Sequence, residues 1–313
     1  MDEVTGQINV PTRNGEVKVS DYDVLNGIEL TQSATDYLPL PIDKDYGVNE
    51  LIDGYEAQAV PDNLVAQRIE SAGYSIGMKK ENMAIEELMK GTVSPDKSTS
   101  TTTNIYKKIV AEIKNMKKRN MKVSSMRVAV GADAEELLLT DEKFANSSST
   151  IGAELLREGV IGKIAGVPVK TNYLMGDDVE FVIYDRRFLQ KYEIWKAEPS
   201  IEDIKDGKHI KASALQGRQV GGLMVTNKLG VQIKKVDTYT VTYDANTGTG
   251  SIESDTVRAG ESVELPDGTA LTGPEGKTVF KGWATTNSAG TPDVESPYTP
   301  TKSVTLYAVW ATE

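Results

Sequence analysis

The sequence predicts an α+β chain in two parts, a body over residues 1–236 and an all-β module over residues 237–313. Three observations carry that expectation. In SVTLYAVW, alternation puts Val304, Leu306, Ala308 and Trp310 on one face and Thr305, Tyr307 and Val309 on the other, the pattern of a half-buried strand. The stretch from Pro61 to Gly91 has proline in its first turn and glycine at its end, the punctuation of a helix. Charge divides at the same joint: the module holds eleven acidic and four basic residues, a net of −7, out of −11 for the whole chain.

Taken in order, Gln7 to Asp45 reads as strand and turn: QINVP, a break at RNGE, VKVSDYDV, a break at LNG, then IELTQSATDYLPLPI. Such a long polar hairpin has few large apolar residues on either face and needs outside contacts to be stable. Residues 61–91 follow as a helix of about 45 Å, with Val65, Ile69, Ala72, Ile76 and Met83 near one stripe. SPDKSTSTTT, residues 94–103, reads as a Ser/Thr-rich loop. NIYKKIVAEIKNMKKRN is a basic amphipathic helix with Ile105, Ile109 and Ile113 on its apolar side. MRVAVG is a strand, ADAEELLLTDEKF a short helix, VEFVIYD and LQKYEIW two further strands, and residues 209–236 a closing strand group. Gly159, Gly162 and Gly166 suit tight turns between strands. In the module, DANTGTG and LPDGT supply turns, and Trp283, Trp310, Phe280, Tyr243 and Tyr298 supply a core.

Composition excludes several classes of function. With 39% apolar and 26% charged residues the balance is that of a globular chain that folds. No run of eighteen apolar residues is present to span a membrane. MDEVTGQINVPTRNGEV has neither the basic start nor the apolar stretch of a secretion signal, so synthesis in the cytoplasm is expected. Cysteine is absent, which removes disulfides, thiolate metal sites and a cysteine nucleophile. An acidic module repels nucleic acid and is expected to face solvent.

No catalytic, cofactor-binding or metal-ligating residue is assigned, and an enzyme is not expected. His209, the one histidine, stands between Lys208 and Ile210 with no oriented nucleophile in the sequence, so a surface or packing role is assigned. GPEGKT, Gly273 to Thr278, fails as a phosphate loop because Leu271 stands where glycine is needed, and it reads as a β-turn. DANTGTG fails as a calcium loop with Gly248 at the third ligand position, and Asp43 and Asp45 fail likewise with Gly47. Lys107, Lys108, Lys114, Lys117, Lys118, Arg119 and Lys122 are of a kind that touches phosphate, but a solvated helix face is the reading taken. Trp195 is read as a core or subunit-contact aromatic in preference to a ligand-binding one.

Residues 239–310 resemble the Listeria/Bacteroides repeat, or internalin B-repeat, a small β-grasp-like module. The resemblance rests on YTVTYDAN from Tyr239, FKGW from Phe280 to Trp283, and TLYAVW ending at Trp310. It implies an extracellular spacer or adhesion unit, usually in tandem, whereas one copy stands here and suggests an appendage.

The body resembles the major capsid protein of tailed bacteriophages, the Hong Kong 97 type. The carrying motifs are RVAVGADAEELLL (Arg127 to Leu139), GVIGKIAGVPV (Gly159 to Val169) and QGRQVGGLMVTNKLGV (Gln216 to Val231), in that order after a hairpin arm. The resemblance implies an extended loop over residues 7–50, a peripheral domain over 51–124 and 201–236 with its spine helix at 61–91, and an axial domain over 125–200. It implies a structural subunit, found in the virion, that self-assembles through hexamers and pentamers into an icosahedral head around double-stranded DNA. The module over 237–313 would be displayed outside, where host or mucosal glycans are candidate ligands. Because the chain starts almost directly at the loop, a separate scaffolding protein, or an upstream piece, is expected along with a portal. An encapsulin-like shell and a bacterial cell-surface adhesin or spacer are the alternatives.

Overall fold

The computed structural model describes residues 6–12, 19–28, 36–52, 64–144, 159–205, 208 and 212–312. The arm begins with β1 (Gly6–Pro11) paired antiparallel to β2 (Tyr37–Ile42), Gly6 opposite Ile42 and Pro11 opposite Tyr37. Over the described part of VKVSDYDV, residues 19–22 pair with no strand and a turn runs from Asp23 to Gly27. Asp23 Oδ1 accepts from the backbone of Leu25 (2.8 Å) and Asn26 (3.3 Å), and Gly27 N donates to Asp23 O (2.8 Å). A short carboxylate side chain that captures nearby N–H groups competes with a strand ladder in this way.

β3 (Lys44–Ile52) leaves the arm and joins a three-stranded antiparallel sheet of order β3-β10-β9, with β10 (Ser213–Val225) central and β9 (Leu189–Asp203) outermost. The long helix α1 (Leu64–Leu88) has 25 residues, about 37 Å. Its expected start at Pro61 lies outside the described residues. Ala72 packs with Ile52 of β3 and Leu215 of β10, while Ile85 and Leu88 pack near Val182, Val231 and Ile233. Ile69, expected on the apolar stripe, is 40% exposed. Met83 is half-buried.

A second, six-stranded sheet has the order β4-β11-β8-β5-β7-β6. Its strands are β4 (Thr92–Val93), β5 (Met126–Val130), β6 (Val160–Ile164), β7 (Val167–Thr171), β8 (Val179–Asp185) and β11 (Val231–Lys235). Successive strand side chains point to opposite faces, and β8 obeys this with both faces covered. Phe181 and Ile183 enter the core made with helices α2 (Ile105–Lys118) and α3 (Ala132–Leu139), and Val182 enters the core shared with α1. Ile105, Ile109 and Ile113 are buried in the first of these cores, as the helical spacing predicts.

These pairings join segments that lie far apart in the chain. Helix α2 shares its core with β5 to β8; β9 pairs with β10; and β11 returns to the six-stranded sheet. The reason is that an apolar helix face and a strand ladder are satisfied by whichever element meets them in space. Gly159 and Gly166 do sit at left-handed φ, but Gly162 lies within β6, where a Cβ would meet the Phe144 ring at 2.2 Å.

Residues 238–311 form the module. A four-stranded sheet of order β14-β12-β17-β16 places β12 (Thr238–Asp244) parallel to β17 (Val304–Ala311), flanked by β14 (Asp255–Arg258) and β16 (Val279–Ala284). A small pair, β13 (Thr249–Gly250) and β15 (Leu271–Thr272), closes one side. Trp283, 2% exposed, is the centre of the core. Its ring lies 4.9 Å from that of Tyr243 and 5.3 Å from that of Phe280, and its Nε1 donates to Pro266 O at 2.8 Å. Trp310 Nε1 donates to Ala245 O (2.8 Å). Val304, Leu306, Ala308 and Trp310 all face this core, as alternation predicts, but Val309 on the other face is buried too.

Candidate assembly surfaces and the module junction

The segment that reads as a polar loop, residues 94–100, is where body and module join. Ser94 N donates to Ile233 O (2.7 Å), fastening the loop to β11. Lys234, 1% exposed, points from β11 beneath the loop and donates through Nζ to Asp96 O (2.7 Å) and Ser98 O (2.8 Å). Asp96 Oδ2 lies 3.3 Å from that ammonium and 3.6 Å from Lys108 Nζ. Glu180, also buried, accepts from Ser100 N (2.5 Å) and Ser100 Oγ (2.6 Å). Each buried charge therefore has hydrogen-bonding partners, the condition for tolerating it.

The electrostatics follow from the packing. Partial burial opposes the charge on Asp96, but hydrogen bonds from Ser98 and the positive charges of Lys234 and Lys108 prevail and take its pKa down to about 2. Burial, with Lys108 nearby, lowers the Lys234 ammonium from its ordinary value against the pull of Asp96 and Glu180.

From this loop the contacts run into the module. Asp237 N donates to Lys97 O (3.3 Å), Thr99 Oγ1 donates to Ala259 O (2.6 Å), and Ala259 N donates to Asp237 O (2.8 Å). Arg258 reaches back to the body, with Nε donating to Asp177 O at 2.7 Å and Nη2 lying 2.5 Å from Asp133 Oδ2. Sequence reasoning missed this junction because serine, threonine and aspartate in a row have the composition of any solvated loop.

Among the described residues the most exposed aliphatic side chains lie on the arm. Leu25 is 92% exposed, Val19 91%, Val24 86% and Tyr22 70%, with Ile28 and Tyr37 also open. Where the arm meets β10, Gly222 lies so close that a Cβ would stand 1.9 Å from Pro41 O. Under α1, a cavity of about 290 Å³ is lined by Tyr46, Lys80, Met83, Leu189, Glu193 and Leu223. Lys80 spans it, 3.3 Å from Glu193 Oε2 and 5.9 Å from the Trp195 ring centroid, so Trp195 is engaged within the subunit.

His209 lies outside the described residues. GPEGKT forms a turn closed by Lys277 N donating to Pro274 O (3.0 Å). In DANTGTG, Asn246 and Thr247 take positive φ, and Asp244 Oδ1 accepts from Asn246 N (2.8 Å). Asp45 pairs with Arg218 instead of a metal, Oδ1 accepting from Nε at 3.0 Å. Lys107, Lys114, Lys117, Lys118 and Lys122 are exposed, while Lys108 is held by Ser98 and Thr99. Among the described residues no group of three or more His, Cys, Asp or Glu is placed to hold a metal ion. No helix among them is long and apolar enough to cross a membrane.

Residues 239–309 match the model of the Listeria-Bacteroides repeat domain. No curated protein matches the chain. Among solved structures, one from Mycobacterium phage Che8 is 18% identical with a TM-score of 0.51, covering 74% of this chain and 85% of that one. A capsid structure of the cyanophage P-SCSP1u is 9% identical with a TM-score of 0.53, covering 75% of this chain and 84% of that one. The likeness shows the fold: α+β, of the phage capsid type that the sequence resemblance implied, followed by a small strand-rich domain.

Proposed function

We propose that the chain is a major capsid subunit, a structural protein of the virion whose work is self-association into an icosahedral shell around DNA. The observation that carries this reading is the arm. Val19, Val24 and Leu25 lie almost wholly in solvent on an arm whose described residues are mostly exposed, and apolar groups presented this way mark an interaction surface. Closed symmetry repeats each such contact over every copy of the subunit, so individually modest interfaces sum to a stable particle.

The partners in this reading are further copies of the chain in hexamers and pentamers, a scaffolding protein and a portal. The domains of the reading are an arm over residues 7–50, a peripheral unit over 51–124 and 201–236, an axial unit over 125–200, and the module over 237–313 as an outward appendage. The module's net charge of −7 supports a position facing solvent, and its repeat family makes surface glycans the ligands to test.

Expression of the whole chain beside a version ending at Val236, each with and without a scaffolding partner, tests the proposal by negative-stain microscopy. Shells are expected from both. A truncated body that stays monomeric while the isolated module assembles would overturn it. Nucleic acid inside the particles separates a phage head from an encapsulin-like compartment, which would hold protein cargo.

A further inference from the structure

The six-stranded sheet is electrically polarised along its strands, and we infer that its basic end is a contact surface for the phosphate backbone of double-stranded nucleic acid. Strand register fixes the geometry. Met126, which opens β5, pairs with Asp185, which ends β8, and Val231, which opens β11, pairs with Tyr184. Lys122 precedes β5, Arg186 and Arg187 follow β8, and Lys228 precedes β11, so cations from three distant segments meet at one end of the sheet. Arg119 joins them, donating through Nη1 to Gln232 Oε1 (3.0 Å) and Leu229 O (3.4 Å).

A cavity of about 340 Å³ lined by Ser124, Ser125, Arg186 and Arg187 opens between these residues. Asp185 lies at this end, fully buried and matched by Arg187, whose Nη2 lies 2.7 Å from Oδ2, and Glu87, ahead of β4, is paired with Lys90. Burial opposes the charge on Asp185, but the hydrogen bonds from Arg187 and Ser125 hold its carboxyl below the ordinary value. It therefore neutralises Arg187 and leaves the others uncompensated. Lys122, Arg186 and Lys228 are exposed and form no ion pair among the described residues. The opposite end carries Asp133, Asp177, Asp178 and Asp237, of which Asp133 pairs with Arg258 and Asp178 with Lys235, together with the module of net charge −7.

Guanidinium groups beside hydroxyls suit phosphate oxygens. A protein partner would instead call for an apolar centre within a polar rim, and Leu229 is the one large apolar side chain exposed among the described residues of this end. The local cations matter more than the acidic net charge because screening confines their reach to about 10 Å. The inference deepens the shell reading and rests on it for orientation: the basic end turns toward enclosed nucleic acid and the module end away.

The test compares the full-length chain with K122E/R186E/K228E and with K277E/K281E/K302E, a module variant of equal charge change. Binding of each to a random-sequence DNA duplex is followed by fluorescence anisotropy over a series of salt concentrations. The wild type is expected to bind, and the basic-end variant to show a salt slope shallower by roughly 0.9 for each phosphate contact removed, with the module variant unchanged. Equal slopes in all three proteins, equal losses in both variants, or no binding by the wild type at low salt would overturn the inference. Should circular dichroism show the triple variant unfolded, R186Q and K228Q singly take its place, each expected to lower the slope and each counting against the inference if it does not. Microscopy of the same samples reads the shell separately: DNA binding without shells sinks the shell reading, and shells with an unchanged slope sink this one.

Discussion

Arg258 of the module and Asp133 of the body form an ion pair, Nη2 to Oδ2 at 2.5 Å, with the arginine side chain 11% exposed and the aspartate 63% exposed. With the hydrogen bond from Arg258 Nε to Asp177 O (2.7 Å), it fixes the module to the sheet end that carries the acidic residues. The joint is thus a docked contact as well as a covalent link.

Removing that contact is expected to free the module without unfolding it. An ion pair with one well-exposed partner contributes less than about 1 kcal/mol, and the hydrogen bond about another 1. Arg258→Ala should therefore leave the melting of both parts nearly unchanged while proteolysis near Val236 to Tyr239 accelerates. Unaltered cleavage there would show that Thr99 and Lys97 hold the module by themselves.

Trp283→Ala should unfold the module alone. A domain of this size has roughly 3–5 kcal/mol of net stability, and deleting a buried tryptophan costs about as much. Loss of protease resistance confined to residues after 237, with shells still forming, is the expected result. A module that keeps its resistance would show that Tyr243, Phe280 and Trp310 suffice for the core.

The junction should weaken in acid. Asp96 has a folded pKa of about 2 against an ordinary 3.8, so its contribution is fully present above pH 3.8 and is lost as pH falls through about 2. Near-ultraviolet circular dichroism of the wild type and Asp96→Asn across this window measures it, with a flatter acid limb expected for the variant. Identical acid limbs would assign the sensitivity to other carboxylates.

Gly222→Ala should lift the base of the arm from β10. The added methyl would stand 1.9 Å from Pro41 O, a backbone atom with no rotamer to move, and overpacking of this kind costs about 1–3 kcal/mol. Faster amide exchange across residues 37–42, with β5 and β8 unchanged, is the expected outcome; unchanged exchange at β2 would mean that the strands slide apart freely.

Much of the fold was legible because its signals are local. Alternation in SVTLYAVW reports one pleated strand, isoleucines at 105, 109 and 113 report one helix face, and the order of glycine-bearing strands carried the capsid resemblance. The turn at Asp23 was missed because strand propensity around it is strong and the competing hydrogen bonds belong to one side chain. The junction was missed for the opposite reason: nothing in SPDKSTS distinguishes it from a solvated loop until Lys234, 138 positions from Asp96 along the chain, is placed beneath it.

The two-part α+β organisation, the absence of cysteine chemistry and the unequal division of charge are written in the order of residues, since composition and periodicity are properties of consecutive residues. Tertiary structure alone decided which helix serves which sheet, how the module is seated through Arg258, and that Lys122, Arg186 and Lys228 share one end of a sheet while Asp133 and Asp237 share the other. Strand register is set by pairing between distant segments, and only that pairing turns scattered charges into a polarised surface.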